Sequence, residues 1–477
     1  MPAISARASA GVLFIFQLPE TIFVRIGQTI QGSLENWHYS LAMLKPQDGI
    51  VLTRFMASAT VNNNQMEFTM ACRGKRIFWS VLGLAAFGVL TVQGDDWPGW
   101  RGPARSGKSA ETGLLKAWPE GGPALLWKAS GIGKGFSSVA VVKGTVYTTG
   151  DVGGELKLSA LNDQGKILWQ QVQGPAYTAS HGGARSTPVL DGNRIYLVGG
   201  AGRVTCHDAA TRQLVWEREL KSLGGAPGGW GYSESALIVD DKVIVTPGGS
   251  NGIVALDKRT GKDVWRSDAP CKAHYSSAIV IRDQAHALIV QGTGSGLLAL
   301  DPKDGRRVWS SDFSSGNTAN CPDPAYADGY LFWANGYGKG GICFKVECQE
   351  GAWSFAEVWR TGDMVCHHGG YVIDKGYIYG NHNAGWSCLD LKTGQPAWKN
   401  QKGVGKGSIC FADGLLFLFG ENGGKAGVVA ASPEAFAMSG ELTVQGTGPS
   451  WAHPVVAGGR LYLRYDDSLY CFDVKGR

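Results

Sequence analysis

Val254-Ala-Leu-Asp257-Lys-Arg-Thr-Gly261-Lys-Asp-Val-Trp265 reads as a short apolar strand, a polar Asp-x-x-x-Gly turn, and a second strand closing on tryptophan. The same order of residue types returns at Leu158 to Trp169, Cys206 to Trp216, Leu298 to Trp309 and Cys388 to Trp398, and in lengthened form from Phe344 to Trp359. With Trp127 in front, the tryptophans Trp127, Trp169, Trp216, Trp265, Trp309, Trp359 and Trp398 stand 39 to 50 residues apart. A period of that length belongs to propeller blades.

The residue types have physical reasons. Asp or Asn after a strand accepts hydrogen bonds from its own turn backbone, and the following Gly supplies the positive φ of the reversal. A tryptophan on an outer strand offers a flat apolar face to bury against the next blade, with an N–H that needs an acceptor. These seven tryptophans are therefore read as docking residues.

A second signature lies upstream of each copy, as in Gly144-Thr-Val-Tyr147, Asn193-Arg-Ile-Tyr196, Gly376-Tyr-Ile-Tyr379 and Gly459-Arg-Leu-Tyr462. Each unit thus reads as four short antiparallel strands, and the chain as all-β. The last unit stops at Ser468-Leu-Tyr-Cys471-Phe-Asp473, one strand short, while Ala124-Leu-Leu-Trp127-Lys128 is an outer strand with no unit of its own. Pairing the two closes the ring and removes an open edge. The count is then eight four-stranded blades, including a seventh whose outer strand around Gly440-Glu-Leu442 has lost its tryptophan; seven blades is the alternative.

Ahead of the propeller (124–477) comes a lead-in at 95–123, and before it Arg73-Gly-Lys75-Arg76 followed by the apolar run Ile77 to Val92. A basic start, an apolar stretch and small residues make a secretory signal at 70–94, or a single membrane anchor. Translation from Met70 would leave 1–69 as an extension with no assigned fold. The location expected is periplasmic or extracellular, with membrane attachment if the signal is not cleaved.

Composition agrees. Seventy Gly are about twice the roughly 7% average, and they punctuate short Val/Ile/Leu/Tyr runs. Forty-five basic and 40 acidic residues are interspersed, giving a net charge of only +5, which argues against a nucleic-acid groove. The ten cysteines show no zinc spacing, and outside Cys72 their number is odd. No metal site is expected from them.

The Ala-x-Asp-x-x-x-Gly-x-x-x-Trp pattern resembles the docking repeat of the pyrroloquinoline-quinone (PQQ) propeller family, which holds quinoprotein dehydrogenases and BamB-like outer-membrane assembly propellers. Asp96-Trp97-Pro-Gly-Trp100-Arg101-Gly-Pro103 resembles the lead-in of PQQ-like propellers from planctomycete-type bacteria. The dehydrogenase branch would imply PQQ with calcium, commonly with a clamp of two adjacent cysteines and a catalytic Asp. This chain has no Cys-Cys pair and no Cys-x-x-Cys-His haem motif. We therefore expect no cofactor and no catalytic residues, and a binding or scaffold protein for a protein, peptide or glycan of the cell envelope. A periplasmic dehydrogenase oxidising an alcohol or sugar is the alternative.

Any site should lie at the channel mouth, where the loops approaching the inner strands are least uniform. They supply His181, Arg185, Tyr232, Glu234, His274, Tyr275, Asn320, His367, His368, Trp451 and His453, with Trp230 beside them. Charged, imidazole and aromatic groups together suit an anionic or sugar-like ligand. The same groups could equally be solvated channel lining. For His367 and His368 the alternation of strand side chains predicts that only one reaches a common centre, so no metal is assigned.

Overall fold

The computed structural model describes residues 96–476 except 284, 285 and 317, together with five strands before residue 78. Two compact units divide near residue 90. In the first, Ile15–Phe16 pairs with Ile22–Phe23, and Met56–Asn62, Gln65–Cys72 and Lys75–Ile77 form an antiparallel sheet. The middle strand of that sheet runs through Met70. Most of the proposed signal, 78–94, lies outside the described residues.

The second unit is an eight-bladed propeller of four-stranded antiparallel blades. Inner strands are Ala140–Val142, Val189–Asp191, Leu237–Val239, Ile279–Asp283, Ala325–Ala327, Tyr371–Asp374, Gly407–Ala412 and Val455–Ala457, for blades 1 to 8 in chain order. Among the described residues helix is confined to one 3-10 turn, Leu220–Leu223. Closure follows the sequence: Leu125–Ala129 pairs antiparallel with Ser468–Asp473, placing Trp127 opposite Cys471. Eight blades, not seven, complete the ring.

Docking explains the repeat. Trp127, Trp216, Trp265 and Trp359 each donate their indole N–H to a turn carbonyl of the next blade, at Asp163, Lys258, Pro302 and Leu391, over 2.8 to 3.1 Å. Trp398 does the same to Ser432 at 2.9 Å. The turn Gly lies under the ring: at Gly261, with φ +69°, a Cβ would come within 2.6 Å of the Trp216 indole. The turn Asp earns its place too, since Asp257 accepts from Arg259 N, Thr260 N and Thr260 Oγ1.

Two tryptophans dock differently. The blade 2 turn carries Arg212 at φ +66° in place of Gly, and Trp169 packs, as does Ala209 of that turn, against a buried cluster that includes Leu190 and Ile195 of blade 2. The lengthened hairpin of blade 5 brings Phe355 flat against Trp309, with ring centroids 4.2 Å apart. Blade 7 lacks its own tryptophan, as the sequence indicated, and the lead-in fills the gap. Trp118 donates its backbone N–H to Ser439 O at 2.9 Å and lies 6.2 Å from Phe417. Tyr462, Tyr147, Tyr196 and Tyr379 stand at comparable distances, 6.0 to 6.1 Å, from their docking tryptophans.

The nine cysteines beyond the first unit are all free thiols, seven of them buried. In the seven buried ones desolvation raises the pKa and leaves small apolar fillers, Cys343 and Cys388 being pushed up to about 12.

Candidate functional site: a plugged channel and an aromatic mouth

Residues 97–111 run inside the ring of inner strands. Trp97 exchanges backbone hydrogen bonds with Val141 of blade 1, and Pro98 O accepts from Leu190 N of blade 2. Arg105 donates to Ser235 O and Ala236 O beside blade 3, while Gly107 O accepts from Phe411 N of blade 7. Blades 3 and 7 face each other across an eight-membered ring, so two residues of one segment can reach both only from the channel itself. Lys108–Ser109 adds a short parallel strand to blade 7. Asp96 accepts from Lys143 N, and Glu111 from Gly458 N and Gly459 N, at the turns that follow the inner strands.

The apex of this plug reaches the opposite end of the inner strands. Trp100 donates Nε1 to Asp323 Oδ2 at 2.5 Å and meets His453 edge-on, with ring centroids 4.6 Å apart. Arg101 donates to Ser106 O and Tyr371 O, and its Nε lies 3.9 Å from Asp323 Oδ2. Arg101, Arg105, Glu234 and Asp323 are all less than a tenth exposed. Burial raises the carboxyl groups, Glu234 to about 7, against the pull of backbone donors and the two guanidinium groups. Burial likewise brings Arg105 down to about 10. Buried charges of both signs with hydrogen-bonded partners make a structural core of the channel.

Several residues expected at the mouth belong to the scaffold. Glu234 accepts from Thr246 N. Tyr232 is buried and donates to Pro247 O. Asn320 is fully buried, donates to His274 Nδ1 and accepts from Ser315 N. Arg185 staples its own loop through Ser180 O, His181 O and Gly183 O, and covers the ring of Tyr177. His453 is buried with Nε2 on His368 O. Desolvation lowers His274 to about 4 and His453 to about 3, holding both neutral at physiological pH.

The rest do meet, as a line of rings across the mouth. Tyr275, Trp230, His181 and Trp451 follow one another with centroids 5.4, 6.3 and 5.5 Å apart. Phe136 packs on Trp451 at 4.5 Å, and His368 lies 6.0 Å from it. The line continues to His367 and then to exposed Tyr337.

His367 and His368 are brought together, contrary to the strand argument, because 367–369 form a bend. Their Nδ1 atoms are 3.5 Å apart, and His368 Nδ1 is 3.9 Å from Glu421 Oε1. Glu421 also accepts from Trp451 Nε1 and pairs with Lys406. Desolvation is the main cause lowering both histidines, His367 to about 4.

Tyr337, Lys406 and Glu421 were not singled out in the sequence. Tyr337 and Glu421 sit in Gly-rich turns between the second and third strands, which open on the same face as the approach loops. That shared face was the available signal.

Two cavities lie elsewhere. One of about 340 Å³ is lined by Phe313, Lys339 and Arg360 near the rim; one of about 190 Å³ flanks the plug at Asp96, Trp97 and Lys108.

Fold and site together define a propeller whose channel is sealed by its own lead-in and whose exposed feature is an aromatic mouth. The chain belongs to the PQQ-like propeller family: the family described as outer membrane protein assembly factor BamB matches residues 112–265 and 154–400. BamB from Moraxella catarrhalis superposes with a TM-score of 0.56 at 17% identity, over 74% of this chain and 99% of that one. Quinohemoprotein alcohol dehydrogenase from Comamonas testosteroni gives 0.55 at 15% identity, over 80% of each chain. The computationally designed Ika8 protein gives 0.53 at 11% identity, over 74% of this chain and all of that one. At such identities these structures establish the fold. No curated protein sequence matches the chain.

Proposed function

We propose that this is a binding or scaffold propeller of the cell envelope, which holds a protein, peptide or glycan against its aromatic mouth. The observation that carries the reading is the plug: with Trp100, Arg101 and Arg105 inside the ring, the channel offers a recognition surface rather than an enclosed chamber. Trp230, Tyr275 and Trp451 supply flat faces with hydrogen-bonding edges, which suit sugar rings or side chains presented from outside. The family description, an outer-membrane assembly factor, supports a protein partner and an envelope location.

The residues present do not fit PQQ with calcium. There is no adjacent cysteine pair. Asp323 and Glu234, the two buried carboxyl groups beside the plug, are engaged by Trp100, Ser277 N and Thr246 N. Calcium seeks six to eight oxygens, whereas the cluster nearest the mouth is dominated by imidazole. No step is derived through the cofactor.

The test uses the full chain. Tryptophan fluorescence is titrated with defined oligosaccharides and with extended peptides, in the wild type and in a Trp230→Ala/Trp451→Ala variant. Saturable quenching that the variant loses is expected. Thermal stabilisation by PQQ and calcium, with dye-linked oxidation of an alcohol or sugar, would overturn the reading in favour of a dehydrogenase.

A further inference from the structure

We infer that His367, His368 and Glu421 form a binding site for a divalent transition-metal ion of the zinc type, with one coordination position open toward the aromatic mouth. The site goes beyond the recognition reading and stands or falls independently of it.

Geometry comes first. Ligand atoms at about 2.05 Å from a tetrahedral zinc ion lie roughly 3.3 Å from each other. The Nδ1 atoms of His367 and His368 are 3.5 Å apart, and His368 Nδ1 lies 3.9 Å from Glu421 Oε1. All three ligand atoms fall within 4.8 Å of one another. Reaching that spacing closes the two separations given by about 0.2 and 0.6 Å and the widest of the three by up to about 1.5 Å. Two different parts of the fold hold them: the bend before the inner strand of blade 6 carries both histidines, and Glu421 stands on a turn of blade 7.

The surroundings resemble those that orient metal ligands. His367 Nε2 lies 2.9 Å from Tyr337 Oη, which can accept the far N–H of the tautomer that leaves Nδ1 as a lone pair toward the centre. Trp451 Nε1 donates to Glu421 Oε1 at 2.7 Å and fixes that carboxylate. The backbone carbonyl of His368 is held by His453 Nε2. His368 Nε2, buried and without a hydrogen-bond partner, leaves the ring poorly satisfied as it stands.

Donor chemistry selects the ion. Two imidazole nitrogens and one carboxylate suit zinc, cobalt or nickel, while calcium and magnesium require oxygen-rich sites. Three protein ligands leave a fourth position for water or for an anionic group of a molecule resting on the mouth. Without metal, Lys406 Nζ balances Glu421 from 3.0 Å. Its flexible stem allows it to swing outward, so Lys406 competes with the ion rather than blocking it.

The experiment titrates the full, untagged chain with zinc chloride by calorimetry and with cobalt chloride by visible absorption. One equivalent of zinc and the intense bands of tetrahedral cobalt are expected. His367→Ala and His368→Ala should each weaken binding at least tenfold, and Tyr337→Phe about tenfold, in line with outer-shell effects. Lys406→Met should tighten it severalfold, a gain that damage to the fold would not produce. Near-ultraviolet circular dichroism checks that each variant is folded. Absence of cobalt bands in the folded wild type, or equal zinc uptake by a folded His367→Ala/His368→Ala double variant, would overturn the inference.

Discussion

Replacing Arg101 by Met asks whether the plug holds the ring together. The side chain is 5% exposed and faces Asp323, which is 2% exposed. The substitution keeps an unbranched apolar stem but deletes the donors to Ser106 O and Tyr371 O and one of the two guanidinium groups beside Asp323. Breaking a buried pair from one side costs about 3–5 kcal/mol, because the other charge stays desolvated. With roughly 380 residues unfolding at about 2.1 cal/mol/K each, the melting entropy is ~0.8 kcal/mol/K, so Tm should fall by about 4–6 °C. Asp323→Asn in the Arg101→Met background should recover part of that loss by removing the unpaired charge, although the amide's single oxygen accepts from only one of Trp100 and Ser277. Differential scanning calorimetry of the four proteins of this cycle gives the coupling directly. A single variant melting within 1 °C of wild type, or a double variant showing the plain sum of the two losses, would refute the view that the channel core is electrostatically cross-braced.

Trp118→Ala should destabilise by about 3–5 kcal/mol, the usual cost of truncating a buried tryptophan, although this residue lies outside every repeat; urea denaturation followed by fluorescence checks it. Gly261→Ala combines a positive φ with a close approach to the Trp216 ring, and its loss, above roughly 1 kcal/mol, should exceed that of Gly144→Ala, where the added Cβ meets nothing. His274 titrates near 4 when folded and about 6.5 when unfolded, so the unfolded chain takes the proton first and stability falls as pH drops below 6.5, by up to ~1.4 kcal/mol per pH unit. His274→Gln should flatten that acid limb in a pH series of melting curves. Glu234 acts with the opposite sign: its folded value of about 7 exceeds the unfolded one, so its contribution is complete below about 4.5 and is lost as pH rises through 7. Glu234→Gln should remove that alkaline decline.

The blades were legible because the constraint that makes them is local. Asp257, Gly261 and Trp265 lie within nine residues, and each does a job its neighbours in sequence define. Closure was legible as well, since a missing strand at Asp473 and a spare one at Trp127 are complementary defects. The plug was not. Trp100 and Arg101 find Asp323 and Tyr371 more than 200 residues away, and nothing periodic announces such contacts. Site residues were read from chemistry without direction, which is why Tyr232, Glu234 and Asn320 turned out to point into the scaffold while Trp451, His367 and His368 converge. Tyr337 and Glu421 were missed because only the loops approaching inner strands were searched, although the second-to-third-strand turns share their face.

Threading the lead-in through a ring that the strand Ser468–Asp473 completes fixes the order in which the propeller can be made. Leu125–Ala129 has no partner until Ser468–Asp473 has been synthesised, and residues 97–111 find inner strands as late as blade 8. The lead-in must therefore wait, solvated, while the blades assemble one against another, and the sealing step spans almost the whole propeller in sequence. Contacts of such separation come last and slowly. Synthesis of Ser468–Asp473, rather than the folding of any other blade, is then the event that licenses closure, and a chain truncated within that strand would leave both the ring and its plug unfinished.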